Sequence, residues 1–489
     1  MTTSVRLVRS PAPSLVRATR VAALALLLGA CSATPPMPRP RAELPASYSA
    51  GQGWHPVTAA AAMPADGAWW KVFGDAELDA LQRGLLAHNQ SLAAQLAVYD
   101  QARAALAQAR AAYAPVLSGT AGVTRAESPG GLAGPSDQAS AQLKASWEPD
   151  LWGSVRLQVQ QGEANLRASA DTLRYTRLSL QANLALSYLQ LRTVDAQVRL
   201  ADDTVRDYLH ALRLTQGRYA AGVATAADVA QARTQWLQAQ TARTDLDVTR
   251  QQLLDAIAVL AGQPASGFEL PPQPGLPEVP RIPAGVPAEL LLRRPDLAAA
   301  LQRVQAANAQ IGINQRAWLP AITLGVSGGS QAATLAGLFS APSLYWSLGP
   351  SLAATLFDGG LRSAQLASSR AAYRQAVADW RLAVLQAMQQ VEDNLAGQRV
   401  LQHEAAQQDE VVRAAEVSLR LATNQYKAGT ASYLNVLSAQ TTATQARNAT
   451  LSLLNRRYAA AVNLIAALGG SWGKAPPAAP APAATLPGQ

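Results

Sequence analysis

The stretch Ala139-Ser140-Ala141-Gln142-Leu143-Lys144-Ala145-Ser146-Trp147 alternates strictly between apolar and polar side chains. A period of two predicts a β-strand that has one apolar face. A second short segment, Val116–Arg125, precedes it, and the residues between the two include Gly130-Gly131 and Gly134-Pro135, which are typical of a loop. The stretch therefore belongs to a predicted β-hairpin with one apolar and one polar side.

The sequence that surrounds this hairpin occurs twice along the chain. Ala112-Tyr113-Ala114-Pro115 is matched 205 residues later by Ala317-Trp318-Leu319-Pro320. Tyr219-Ala220-Ala221-Gly222 is matched 207 residues later by Tyr426-Lys427-Ala428-Gly429. Alternating segments also follow the second copy of the first motif, at 322–327 and 346–356. The nearly constant offset predicts a duplication, in which each repeat is helix, hairpin, very long helix, turn and helix.

The helices of each repeat are predicted from alanine content and heptad spacing. Ala76–Ala112 reads as one alanine-rich helix that ends before Pro115. Leucines and valines recur at spacings of three, four and seven along Val155–Gln216 and Leu361–Gln425. This spacing predicts coiled-coil packing, and each helix would span on the order of 90 Å. An ordinary helical bundle would explain the heptads but not the alternating strands.

Each chain thus supplies four strands of roughly ten residues, the length that a tilted strand needs to cross a bilayer. Four strands cannot close a barrel, and open strand edges are not tolerated in lipid. Three identical chains would supply twelve strands by symmetry. The predicted fold is therefore mainly α, with a twelve-stranded membrane β-barrel shared by a homotrimer.

The N-terminus is predicted to be a secretory signal peptide. Residues 1–30 hold four arginines and no acidic residue, and they end in an apolar run that is too short for a membrane helix, which needs about 20 residues. Leu28-Gly29-Ala30-Cys31 resembles the lipobox of bacterial lipoproteins, and Cys31 is the only cysteine of the chain. We predict that Cys31 becomes the mature N-terminus and carries covalent lipid. An ordinary signal peptide with a coincidental cysteine is the alternative.

These observations divide the chain into six predicted segments. They are a signal peptide at 1–30, a lipidated tether at 31–66, a first repeat at 67–262, a proline-rich linker at 263–287, a second repeat at 288–470 and a Pro/Ala-rich tail at 471–489.

Several motifs carry a resemblance to a known family: Trp69-Trp70-Lys71-Val72-Phe73-Gly74-Asp75, Trp147-Glu148-Pro149-Asp150-Leu151-Trp152-Gly153, Arg294-Pro295-Asp296-Leu297, Leu356-Phe357-Asp358-Gly359-Gly360 and Tyr426-Lys427-Ala428-Gly429-Thr430. In this order, inside a duplicated frame behind a lipobox, they resemble the TolC/OprM-type outer-membrane factors, in the NodT-like lipoprotein branch. The resemblance implies a homotrimer in the outer membrane with a long periplasmic α-barrel. It also implies a periplasmic adaptor protein and an inner-membrane pump, usually of the RND class, as partners.

Two turns are the candidate functional site. Gly222 and Gly429 fit the left-handed residue that ends a helix, and Thr225 with Asp228 fits a capping pattern at the next helix. Asp228 has two interpretations, helix-start electrostatics or a functional contact. The repeated motif places Tyr219 next to the first of these turns and its counterpart in the second repeat next to the other.

The resemblance implies that these turns form a periplasmic gate. Tyr426 matches the gate tyrosine of the family, and Asp228 matches an acidic residue on the facing repeat. Asn435 and Ser438 stand where TolC carries two aspartates, and Ala431 stands at an arginine position. We therefore expect no strongly acidic, cation-binding ring here.

Other function classes have little support. The four histidines, His55, His88, His210 and His403, lie in no metal-ligand motif, and no nucleophile elbow points to a hydrolase. The basic residues form no run interleaved with aromatic residues, so nucleic acid is not an expected partner. We predict no enzymatic activity, no bound metal and no cofactor except the covalent lipid. A protein-secreting type I duct, a non-conducting structural lipoprotein and a periplasmic enzyme remain as alternatives.

Overall fold

The computed structural model describes residues 67–127, 135–280, 282 and 294–470. Cys31, the predicted signal peptide, the tether and the C-terminal tail lie outside the described residues. The boundaries of the six segments stay predictions. By contact, the described residues divide into two compact units, the first formed by those within 100–169 and 300–380 and the second by those within 67–99, 170–299 and 381–470.

A four-stranded antiparallel sheet lies in the first unit. Its strands are β1 (Val116–Ala126), β2 (Ser136–Trp147), β3 (Ala321–Ala332) and β4 (Leu344–Ala353), in the order β1-β2-β3-β4. The sequence analysis predicted all four strands, three from their alternation and β1 from its place in the first hairpin. Because β2 pairs with β3, the sheet joins the two repeats into a single surface.

The register separates the two faces of the sheet by polarity. Residues that pair across antiparallel strands point to the same side, so the pairings Leu117↔Ala145, Ala145↔Val326 and Val326↔Leu348 define one apolar face. The larger side chains of this face are exposed in the single chain: Leu117, Val123, Leu143, Trp147, Leu324, Val326, Leu344, Trp346, Leu348 and Leu352. The opposite face carries mostly hydroxyl, amide and glycine residues, among them Ser118, Thr120, Gln142, Lys144, Thr323, Ser327, Ser347 and Ser351.

Residues 328–330 have the sequence Gly-Gly-Ser but do not form a turn. They lie inside β3, where Gly329 pairs with Gln142. A Cβ atom at Gly329 would lie 2.4 Å from the Ala141 carbonyl oxygen. Glycine is therefore required here by the close approach of two strands rather than by a turn.

The first predicted helix is wrong in one respect, since it is two helices: α1 (Ala76–His88) and α2 (Gln90–Ala111). Asn89 separates them with an extended backbone, and its side chain oxygen accepts from the Leu92 amide at 2.9 Å. Its side-chain amide donates to the Leu260 carbonyl, also at 2.9 Å. Because one asparagine satisfies both a helix start and a distant helix end, the break depends on a contact 171 residues away in sequence.

The remaining helices confirm the duplication. In the first repeat α3 (Ser154–Ala220) and α4 (Ala226–Leu260) have 67 and 35 residues. In the second repeat α5 (Pro295–Arg316) precedes β3, while α6 (Leu361–Lys427) and α7 (Tyr433–Ala467) again have 67 and 35 residues. Within the described part of the chain, no helix is both long and apolar enough to cross a membrane.

The core of the second unit explains two of the sequence motifs. Trp69 is 1% exposed, and Asp75 caps α1 while accepting hydrogen bonds from the Tyr188 hydroxyl at 2.8 and 2.9 Å. Arg294 is buried, and it pairs with Asp296 at 2.8 Å and donates to the Ala467 carbonyl at 3.0 Å. Both motifs therefore anchor the start of a repeat to buried helices.

Candidate functional site at the two helix turns

The turns after α3 and α6 have the same backbone geometry. Gly222 and Gly429 have φ angles of 74° and 79°. At the first turn the Gly222 amide donates to the Tyr219 carbonyl and the Val223 amide to the Arg218 carbonyl. At the second turn, the Gly429 amide donates to the Tyr426 carbonyl and the Thr430 amide to the Gln425 carbonyl. This pair of bonds is the Schellman motif, which satisfies the last carbonyls of a helix.

The two helices that follow start differently. Thr225 and Asp228 form a complete capping box at α4: the Thr225 hydroxyl accepts from the Asp228 amide at 3.1 Å, and the Asp228 carboxylate accepts from the Thr225 amide at 2.9 Å. Asn435 holds the equivalent position in α7, but the preceding cap residue, Ser432, makes no side-chain bond to the helix. The hydrogen bonds from Thr225 hold the pKa of the Asp228 carboxyl below its ordinary value.

Tyr426 is the centre of a small buried cluster beside these turns. Its side chain is only 5% exposed, and its ring lies 5.8 Å from that of Tyr433. The other buried members of the cluster come from both repeats: Tyr208, Leu212, Ala232, Val436 and Leu437. Burial raises the pKa of the Tyr433 hydroxyl to about 12.

Arg218 connects the cluster to the first turn. Its guanidinium carbon lies 4.6 Å from the centroid of the Tyr426 ring, and its Nη1 atom donates to the Tyr426 carbonyl at 3.3 Å. A cation over an aromatic face is attracted by the electrons of the ring. The residues nominated from the sequence did not include Arg218 or Tyr433. Their proximity results from packing between the repeats, and sequence spacing does not encode it.

The nominated residues divide into buried and exposed groups. Tyr426 is buried, whereas Tyr219, at the equivalent position of the first repeat, is 52% exposed. Asn435 and Ser438 are also exposed, and Asp228 is partly buried. Within one chain the Tyr426 hydroxyl has no hydrogen-bond partner among the described residues, and the Asp228 carboxylate is bonded to Thr225. The structure therefore places Tyr426 and Asp228 at the same end of the helices without joining them in one chain.

Polar atoms without partners are concentrated in this cluster. Besides the Tyr426 hydroxyl, the buried atoms that lack a partner among the described residues include Arg218 Nε, Trp236 Nε1 and the Tyr433 hydroxyl. A buried polar atom without a partner is costly. The cluster thus has unused hydrogen-bonding capacity of both donor and acceptor type. Among the described residues, no group of three or more His, Cys, Asp or Glu side chains is placed to hold a metal ion.

The comparisons with known proteins concern nearly the whole chain. The family model described as outer membrane efflux protein matches residues 81–263 and 286–470. The chain is 33% identical to the pyoverdine export outer membrane protein OpmQ of Pseudomonas aeruginosa, over 91% of this chain and 95% of that protein. It is 30% identical to the probable efflux pump outer membrane protein TtgC of Pseudomonas putida, over 92% and 95% of the two chains.

Solved structures agree with these relatives. The structure of the outer-membrane channel OprN matches with a TM-score of 0.81 and 26% identity, over 90% of this chain and all of that chain. The predicted fold class is thereby confirmed, as is the outer-membrane location. The chain is an outer-membrane efflux channel protein and belongs to the outer membrane efflux protein family.

Proposed function

We propose that three copies of this chain form a passive duct in which a twelve-stranded barrel crosses the outer membrane. The observation that carries the proposal is the division of the sheet into an exposed apolar face and a polar face. In the chain, β1 and β4 are the edge strands of a four-stranded sheet. Pairing β4 of one copy with β1 of the next would satisfy both edges, and three copies would close the ring.

The polarity of the two faces supports conduction. With the apolar face in lipid, the interior of the ring would carry Ser118, Thr120, Gln142, Lys144 and Ser327, which are polar and of moderate size. Hydroxyl and amide groups favour a hydrated passage over a sealed one. We therefore assign the chain to transport and not to catalysis.

We further propose that a periplasmic adaptor and an inner-membrane pump, of the RND class, deliver the substrates. The relative TtgC is named as an efflux pump component and OpmQ as a pyoverdine export protein. Lipid at Cys31, on the lipobox cysteine, would add an anchor to the barrel. Lipidation suits an exit duct of such a pump because it fixes the chain to the outer membrane from the periplasmic side.

The two helix turns are the proposed gate at the periplasmic end. Tyr219, Asn435 and Ser438 are exposed in the single chain and Asp228 is partly exposed, so all four are available to a neighbouring copy. The Tyr426 hydroxyl and the other polar atoms of its cluster without partners are buried in the single chain, so they would join this contact only if the helix ends shift against a neighbouring copy. Closure would be a set of hydrogen bonds between neighbouring helix pairs, and opening would break them.

The matched substitutions Leu348→Lys and Ser347→Lys test the duct. The two residues are adjacent in β4 but lie on opposite faces. Lysine on the lipid face costs about 2–4 kcal/mol at the bilayer midplane, whereas lysine inside a lumen alters selectivity. We expect Leu348→Lys to abolish insertion and Ser347→Lys to insert and shift ion selectivity in planar bilayers.

The unmodified protein provides the second half of the test. The detergent-solubilised complex should have the mass of three chains and show single-channel conductance. A stable monomer, or equal tolerance of lysine on both faces, would overturn the proposal.

A further inference from the structure

We propose that the apolar face of the sheet carries a specific groove for one acyl chain of an outer-leaflet membrane lipid. The groove has a volume of about 670 Å³ and lies across all four strands. Its floor is small, with Gly119, Ala121, Ala141 and Gly328, and its walls are larger: Leu143, Leu338, Phe339 and Leu344. This inference rests on the proposed membrane barrel and adds a ligand to it.

The β3–β4 connection builds one wall of the groove by folding back over the apolar face. Two short 3-10 turns, Ala336–Phe339 and Ala341–Ser343, form this connection. Leu338 is 9% exposed against the sheet, while Phe339 is 94% exposed beside it. The connection therefore packs the Leu338 side chain on the strands and leaves the Phe339 side chain exposed at the surface of the sheet.

Ser330 is a polar residue within the groove, and it holds the connection in place. Its position pairs with Ala141 and Leu344, so its side chain lies among the apolar ones. The Ser330 hydroxyl is buried and donates to the Leu338 carbonyl, and it also lies 2.7 Å from the Ser343 hydroxyl. A hydroxyl that would be costly in hydrocarbon is thus satisfied by the wall of the groove.

The position of the groove indicates which leaflet supplies the ligand. The C-terminal ends of β1 and β3 lie at the same end of the sheet, because Ala126 pairs with Ser136 and Ser330 with Leu344. The helices join the other end of the sheet, so this end faces outward in a channel whose helices are periplasmic. On the apolar face, the ion pair of Arg125 and Asp137, 3.7 Å apart, marks where the apolar band ends on this side.

The chemistry of the lining favours an acyl chain over other occupants. None of the described residues that line the groove is charged, and the polar ones among them, Thr120, Gln142 and Ser330, are paired within the sheet or bonded to its connection. The groove is continuous with the apolar face that the barrel presents to lipid. Neighbouring copies would pair at the edges of β1 and β4 and leave this face uncovered.

Photolabelling tests the inference on the trimer reconstituted in phosphatidylcholine vesicles whose lipid carries a diazirine on one acyl chain. We expect a severalfold enrichment of label at Leu338 and Phe339 over Leu352, which lies on the same face outside the groove. Ala121→Phe fills the floor and should remove the enrichment. Leu117→Phe, on the same strand and face but outside the groove, should preserve it.

A second variant tests the groove without filling it, by loosening the wall that the β3–β4 connection forms. Ser330→Ala with Ser343→Ala removes the hydroxyls that fasten the wall and should also reduce the enrichment severalfold. Even labelling along the face in the unmodified protein, or no label in the groove while Leu117 and Leu352 are labelled, would overturn the groove alone. Absence of label from Leu117 and Leu352 as well would overturn the membrane barrel on which it rests.

Discussion

The guanidinium of Arg218 lies 4.6 Å from the centre of the Tyr426 ring and is hydrogen-bonded to the carbonyl of the same residue. These two residues stand at the ends of α3 and α6, one from each repeat. The contact fixes the Tyr426 ring inside its cluster without using the hydroxyl. The ring and the hydroxyl of Tyr426 therefore differ in their contacts: the ring packs against Arg218, and the buried hydroxyl makes no hydrogen bond to the described residues.

Tyr426→Phe is expected to increase leak through the closed channel while leaving thermal stability nearly unchanged. The ring, its burial and the Arg218 contact are kept, and only a hydroxyl without a partner in the described chain is lost. Tyr426→Ala should instead destabilise the chain by about 3 kcal/mol, since it removes a buried aromatic ring. Planar-bilayer conductance and thermal unfolding measure the two effects.

Tyr219→Phe is the matched control, because Tyr219 has the same place in the first repeat but is exposed. It should leave stability unchanged, because no buried contact is lost, and any rise in leak measures the contribution of the first repeat to the proposed gate. An unchanged leak in Tyr426→Phe would remove the hydroxyl from the gate.

Trivalent cations are expected to block the unmodified channel poorly. Asn435 and Ser438 are exposed but carry no charge, so these positions form no ring of carboxylates in a trimer. The double substitution Asn435→Asp with Ser438→Asp should create tight block, because clustered carboxylates bind hard cations. Conductance with and without the trivalent cation measures it. Tight block of the unmodified channel would place the acidic constriction elsewhere.

The single substitution Asn435→Asp separates cation block of the channel from a local stabilisation of α7. Asn435 is equivalent to Asp228 at the start of its helix, so an aspartate there should stabilise α7 by about 0.5 kcal/mol through the helix dipole. This gain should appear in hydrogen exchange without any cation.

The start of α4 should loosen in acid. The pKa of Asp228 is lowered in the folded chain, so its capping contribution is complete above the unfolded pKa of about 4 and is lost as pH falls through the lower folded pKa. Thr225→Ala should cost about 1 kcal/mol at neutral pH. Asp228→Asn should speed amide exchange in residues 225–230 at pH 7. Its difference from the unmodified chain should vanish at low pH, and a constant difference would contradict the assignment.

Gly262→Ala is expected to destabilise the chain far more than Gly222→Ala. Both glycines have positive φ angles, 75° and 74°, so both substitutions strain the backbone by about 1 kcal/mol. A Cβ atom at Gly262 would also lie 2.3 Å from the His88 carbonyl oxygen, whereas none of the described atoms lies within 4 Å of one at Gly222. Thermal unfolding of the two variants compares them. Equal losses would show that the clash is relieved.

Cys31 is expected to be the lipidated mature N-terminus. Mass spectrometry of the N-terminal peptide should find an acylated cysteine, and Cys31→Ser should impair membrane sorting while the trimer still assembles. Cleavage at another residue, or an unmodified thiol, would disprove the lipobox assignment.

The sequence by itself determined the features that depend on local order. Alternation over Ala139–Trp147 is enough to predict a strand, since successive side chains of a strand point to opposite faces whatever they pack against. The left-handed residues Gly222 and Gly429 were equally accessible, because only glycine adopts that conformation at little cost. The nearly constant offset between matching motifs was also enough to reveal the duplication, because it can be read directly from the sequence.

Only the tertiary structure decided how residues with similar local sequences differ in their burial and contacts. Tyr219 and Tyr426 occupy the same motif, yet one is exposed and the other is buried under Arg218. Asn89 interrupts an alanine-rich helix through a bond to Leu260, and Ser330 is tolerated on an apolar face because the β3–β4 connection folds over it. Each of these outcomes depends on groups far apart in sequence or on a turn that reverses onto the sheet. Local periodicity carries no information about such contacts, because the free energy that selects them arises only when the distant surfaces meet.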